Sequence, residues 1–125
     1  MKKHFVSLHT VLDHLDNSGR IRLEHRPARY KFGCLNYGEV CDNLFNPADG
    51  DRWDVFAAGY NRVLPAQTYE VDRVIGVFLL ENGNHKIAVT LKDLPVDATH
   101  CRNEIRRYST TYSRRMRLAG EWVPS

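Results

Sequence analysis

The segment from Glu70 to Leu91 constrains the fold more than any other. An apolar run, Val74, Ile75, Val77, Phe78, Leu79 and Leu80, meets the turn-forming sequence Glu81-Asn82-Gly83-Asn84, and Lys86 to Leu91 (KIAVTL) answers it. Apolar, β-branched runs separated by a short Asn/Gly turn form a β-hairpin.

Upstream, the chain reads mainly as further short strands. Asp16-Asn17-Ser18-Gly19 is a turn cluster, and Arg20-Ile21-Arg22-Leu23-Glu24 alternates polar and apolar after it, the pattern of a strand with one buried face. Asn46-Pro47-Ala48-Asp49-Gly50 is another turn or loop, and the strand opened by Trp53-Asp54-Val55-Phe56 is expected to end at Gly59. Downstream, Leu94-Pro95-Val96-Asp97 connects to one helix expected over Ala98 to Leu118, with Asp97 as N-cap and Gly120 just past its end. Ile105, Tyr108, Tyr112 and Met116 fall at spacings of three and four, so one stripe packs inward while the arginines face out. Five or six strands followed by a helix predict a mainly β chain with α: a small closed β-barrel carrying a C-terminal helix. Its 125 residues make one domain, 1–125.

Composition limits the setting. No apolar stretch approaches the roughly 20 residues that cross a bilayer, and the basic start MKKHFVSLHTVLDHLD has no long apolar segment or small-residue cleavage site. Three cysteines, Cys34, Cys41 and Cys101, cannot all pair within one chain, so a reducing, cytoplasmic compartment is expected. None of the Cys and His spacings matches a zinc site, and His4, His9 and His14, five apart, align on neither a helix nor a strand face. The net charge of +3 is unevenly spread: Arg102, Arg106, Arg107, Arg114, Arg115 and Arg117 face only Asp97 and Glu104 in the helix region. Such a segment suits phosphate-bearing partners, nucleic acid among them, or is a solvated helix face.

The acidic loop Asp49-Gly50-Asp51-Arg52-Trp53-Asp54 is the strongest chemical signal. Extended residues two apart share a face, and a bend at Gly50 lets three carboxylates converge. Hard cations such as Mg²⁺ take oxygen ligands of this kind, and a pair of them clamps phosphoryl oxygens. The alternative is a surface turn whose charge Arg52 neutralises.

The order of segments narrows the choice. Ser18-Gly19-x-Ile21-x-Leu23 is followed by Asn36-Tyr37-Gly38 and by Asp49-Gly50-Asp51-x-x-Asp54-Val55. Val74-Ile75-Gly76-Val77, Glu81-x-Gly83-x-x-Lys86-Ile87-x-Val89 and a helix with Tyr112 and a trailing Trp122 come next. This succession, over roughly residues 13 to 123, resembles the soluble family I inorganic pyrophosphatases. The resemblance implies an OB-like barrel of the pyrophosphatase type, Mg²⁺ as cofactor and a homo-oligomer, for which Trp122-Val123-Pro124 is a candidate exposed apolar surface. It also implies that Asp49, Asp51 and Asp54 hold metal, with Glu81 and Asp13 near further acidic positions, and that Asp51 handles the proton of the attacking water. Tyr37, Tyr112 and Lys86 match phosphate-binding groups.

Several positions depart from that family's pattern. Arg52 and Trp53 replace smaller or different residues in the metal loop, Gly33-Cys34 replaces a Tyr-Pro pair, and His25 stands for an arginine that Arg26 could supply. Asn84 replaces a carboxylate, Ser113 a lysine with Arg114 one step on as phosphate-binding candidate, and no lysine lies near Val11. The expected function is Mg²⁺-dependent hydrolysis of inorganic pyrophosphate or a related small phosphoanhydride by a metal-activated water. The alternatives are a degenerate relative that binds a phosphate-containing ligand without turnover, and a nucleic-acid binder built on the barrel and arginine helix.

Overall fold

The structure, a computed structural model, describes residues 2–24, 34–116 and 120–125, with residues 110–116 in backbone only. The elements in chain order are β1 (His4–Phe5), α1 (Leu8–Asp16), β2 (Arg20–Glu24), β3 (Asn36–Val40), β4 (Leu44–Phe45) and β5 (Asp54–Ala57). They continue with β6 (Thr68–Leu80), β7 (Lys86–Leu91), α2 (Ala98–Met116) and β8 (Gly120–Pro124). Strands pair in the order β2-β3-β5-β7-β6, and β2 returns to β6, closing a five-stranded barrel on which α2 packs. All barrel pairings are antiparallel except β5 with β7. The β6–β7 hairpin is the one expected, with Val77 opposite Ile87 and Val74 opposite Val89.

Two cores follow from strand alternation. Inside the barrel lie Ile21, Leu23, Val40, Val55, Val77, Ile87 and Val89, all buried. On the outer face, Phe56, Phe78 and Ala88 are buried beneath α2, whose Tyr108 stacks on Phe56 (centroids 5.0 Å apart) and meets Phe78 edge-on at 5.6 Å. The barrel is therefore apolar on both sides where the helix covers it, which explains why β7 is buried at all six positions.

The N-terminal region adds a helix that the reading of short strands does not contain: Ser7 Oγ accepts the Thr10 N–H as N-cap, and Val11 and Leu15 are buried with Leu8 and Leu12 packed beside them. That spacing is a helical face, which packs against β6. Trp122-Val123-Pro124 belongs to β8, which pairs with β6 in register Phe78↔Trp122 and Val77↔Val123 and leaves Trp122 and Val123 half-buried and Pro124 exposed. The helix is capped as expected, the His100 N–H donating to Asp97 Oδ1 at 3.0 Å, and is described as far as Met116, the expected end at Leu118 lying outside the described residues.

Candidate functional site

Cross-strand register assembles the charged groups on the outer face. Glu39 on β3 sits opposite Asp54 on β5. The parallel partner pair Val55↔Ile87 then sets Lys86 beside Asp54, and Phe78 flanks Lys86 on β6. The Lys86 ammonium donates to Asp54 Oδ2. Lys86 is almost wholly out of water at 4% side-chain exposure, whereas Asp54 keeps 23%. A lysine that deep persists only with an opposite charge in contact. Arg52 lies 3.8 Å from Glu39, donates to Asn43 Oδ1 at 3.3 Å and covers the Phe45 ring. Tyr37 is half-buried on the same strand face as Glu39, two residues away.

The aspartate loop is built around Asn46, which is buried. Its Oδ1 accepts the Ala48 N–H at 2.9 Å, its carbonyl accepts the Gly50 N–H at 2.9 Å, and its N–H donates to the Asp51 carbonyl at 2.7 Å. Gly50 has φ +78°, which supplies the tight bend between the two aspartates. Asn46 Nδ2 also donates to the Gly83 carbonyl at 3.0 Å, pinning this loop against the β6–β7 turn that carries Glu81. The loop and the turn thus face each other at the end of the barrel where Asp54 and Lys86 begin their strands. Asp49, Asp51 and Glu81 are exposed there. Asp49 Oδ1 accepts the Asp51 N–H at 2.9 Å, and Asn82 Oδ1 accepts the Asn84 N–H at 3.0 Å.

His85 and Trp53 brace this arrangement from the opposite side of the strands. The Leu80 N–H donates to His85 Nδ1 at 2.9 Å, so the neutral ring carries its proton on Nε2. Burial first, and Lys86 second, push the His85 pKa down. Trp53 stacks on this ring at 6.3 Å and donates its indole N–H to the Val6 carbonyl at 3.2 Å.

From the other direction, α2 closes over the face. Glu104, fully buried, accepts N–H groups from Leu35 (3.0 Å) and Gly59 (3.1 Å), tying the helix to the approach to β3 and the exit of β5. Burial pushes its carboxyl pKa up. Burial likewise pushes the Cys34 thiol well up, so it is no activated nucleophile. Successive α2 contacts run from Gly59 through Glu104 to Tyr108 on Phe56, toward the Asp54 end of β5. The Tyr112 and Arg114 side chains lie outside the described residues, as do His25 and Arg26.

The structure therefore brings Tyr37, Asp54 and Lys86 to one face and Asp49, Asp51 and Glu81 to two facing loops. Asp13, on α1 with His9 3.4 Å away, belongs to neither. Among the described residues no three of His, Cys, Asp or Glu are grouped to hold a metal ion. Asp49, Asp51, Asp54 and Glu81 offer carboxylate oxygens on adjoining segments, with Asp54 engaged by Lys86. An acidic concavity, about 280 Å³, lies at the opposite end of β7 between Asp16, Ser18, Glu70, Asp72 and Lys92. Sequence reading missed Glu39, Glu104 and His85. Glu39 was within reach, since it falls two residues after Tyr37 on an alternating strand.

Compared with models of known protein families the chain matches none, and a search of curated proteins finds no relative.

Proposed function

We propose that the outer face around Lys86 and Asp54 takes a Mg²⁺ complex of inorganic pyrophosphate, or a related small phosphoanhydride, and hydrolyses it, as in a pyrophosphatase. The observation that carries this reading is the buried Lys86 charge held against Asp54, beside the facing loops of Asp49, Asp51 and Glu81. An anhydride of two phosphates needs cations for its charge, a deprotonated water in line and donors for the leaving phosphate.

In this reading Asp49, Asp51, Asp54 and Glu81 hold the metal. Bound there, Mg²⁺ supplies positive charge to the phosphoryl oxygens and lowers the pKa of a coordinated water. Asp51, exposed in the loop, would accept the proton of the attacking water. Lys86 balances phosphate charge from the strand floor, and the Tyr37 hydroxyl donates from β3. Tyr112 and Arg114, whose side chains lie outside the described residues, are the further phosphate-binding candidates that the family resemblance implies. The setting is cytoplasmic, in keeping with free Cys34, Cys41 and Cys101, and the chain works as a homo-oligomer.

A second reading, ligand binding without turnover, is favoured by the commitment of Asp49 Oδ1 to a backbone N–H and by Asn84 in place of a carboxylate. Nucleic-acid binding is less favoured, because carboxylates line the same face.

The test is phosphate release from pyrophosphate with and without Mg²⁺, beside purified Asp51→Asn. Metal-dependent release lost by at least a hundredfold in the variant is the expected result. Binding of pyrophosphate with no release supports the second reading, and neither binding nor release contradicts both.

A further inference from the structure

We infer that His85 is an acid-sensitive catch: its neutral ring fastens the β6–β7 turn, and protonation of the ring releases that turn together with the acidic loop packed on it. The bond at issue runs from the Leu80 N–H to His85 Nδ1 at 2.9 Å. A ring nitrogen accepts a hydrogen bond only while it carries no proton, so the imidazolium sets a donor against a donor. The ladder bonds of the barrel, each from an N–H to a carbonyl, have no such dependence.

The bond sits where its loss is felt. It spans Glu81-Asn82-Gly83-Asn84, and the Gly83 N–H donates back to the Leu80 carbonyl at 3.0 Å, so Leu80 is held at its N–H and its carbonyl at once. The Gly83 carbonyl in turn accepts Asn46 Nδ2 at 3.0 Å, and a Cβ at Gly83 would stand 2.9 Å from Ala48 Cβ. Turn and loop are in direct contact there, and displacement of one is passed to the other. The catch operates whatever the loop binds.

The surroundings of the ring oppose the proton. Lys86, next in the chain, adds positive charge, although Asp54 from β5 takes its ammonium. Glu81 on the turn and Asp49 and Asp51 on the loop are exposed, and none of them offsets Lys86 at the ring. The stacked Trp53 offers its face to an imidazolium, which softens the penalty without restoring an acceptor for Leu80. The folded chain therefore binds this proton less readily than the unfolded chain. The stability contributed by the bond is present above the ordinary histidine value of 6.5 and is lost as pH falls through the lower folded value.

The experiment follows the ¹⁵N-labelled full chain by NMR from about pH 7.5 to about pH 5, wild type beside His85→Gln. Long-range imidazole correlations report the tautomer, and hydrogen exchange, corrected for its intrinsic pH dependence, reports the Leu80 and Gly83 amides. The catch predicts an unprotonated Nδ1 at the upper end. Leu80 protection then falls at least about tenfold in step with the His85 ionisation and Gly83 follows it, while Val77 and Ile87 in the ladder keep theirs. In His85→Gln the side-chain oxygen accepts the same N–H and does not titrate, so Leu80 protection stays flat. Flat protection in the wild type overturns the inference, as does a fall of equal size in His85→Gln or a parallel loss at Val77 and Ile87. A wild-type ring protonated on Nδ1 at the upper end overturns it without recourse to the variant.

Discussion

The Lys86 ammonium rests on a single carboxylate, and that dependence sets its mutational behaviour. Lys86→Met leaves Asp54 charged beside an apolar group and is expected to cost on the order of 2–3 kcal/mol, less than a fully buried pair because Asp54 is partly hydrated. The double variant Lys86→Met/Asp54→Leu removes both charges and is expected to recover most of that loss. Urea denaturation of the two proteins checks this; a double variant as unstable as the single one contradicts it. Both residues were legible in sequence as chemistry, Asp54 from its loop and Lys86 from its hairpin. Their pairing was not, because it joins positions 32 apart through the parallel β5–β7 neighbours, and local patterns carry no parallel register. His85 was not singled out either: its contact with Trp53 is set by tertiary packing, and its bond from the Leu80 N–H by the geometry of the turn between them.

Among the elements, α2 depends on Glu104 as much as on its aromatic stripe. Its carboxyl lies among Cys34, His100 and Arg107, and burial raises its pKa. The folded chain therefore holds that proton to higher pH than the unfolded chain does. The linked stability is fully present below the ordinary glutamate value of roughly 4.3 and is lost as pH rises through the folded value. Glu104→Gln sets an amide N–H₂ against one of two backbone donors and is expected to cost about 1–3 kcal/mol. Its disadvantage is greatest at the acid end of that window and shrinks as pH rises, which denaturation at several pH values reads directly; a constant or widening gap contradicts the burial argument. The helix itself was legible from Asp97, the stripe and the arginines, of which Arg102, Arg106 and Arg107 are exposed. The buried carboxylate was not, since a glutamate among arginines reads as a solvated charge. By contrast α1 was legible and overlooked. Ser7 followed by Leu8, Val11, Leu12 and Leu15 is a capped amphipathic turn pattern, whereas the five-residue histidine spacing carries no structural meaning.

For the whole molecule, barrel closure sets Asp54 and Lys86 at one end of the barrel and Glu70 and Leu91 at the other. The return of β2 to β6 could be anticipated from the number and length of strands, but the addition of β8 outside the barrel could not, because Gly120-Glu121-Trp122-Val123 has no turn joining it to β6. Gly76 permits that addition: a Cβ there would stand 2.4 Å from Trp122 Cζ2 and 2.8 Å from the Val123 carbonyl. Gly76→Ala is accordingly expected to cost about 1–3 kcal/mol and to shift Trp122 fluorescence toward that of exposed indole. An unchanged midpoint and spectrum contradict this packing. The proposed function places a cation at the Asp49–Asp54 and Glu81 end and not at the concavity of Asp16, Glu70 and Asp72. The most direct measurement is paramagnetic broadening by substoichiometric Mn²⁺ on the ¹⁵N-labelled chain with imidodiphosphate present. The account predicts loss of amide signals over residues 49–54 and 81–86, with those of Ser18 and Val71 intact. Broadening centred on Asp16, Glu70 and Asp72, with Asp54 and Lys86 sharp, would contradict it.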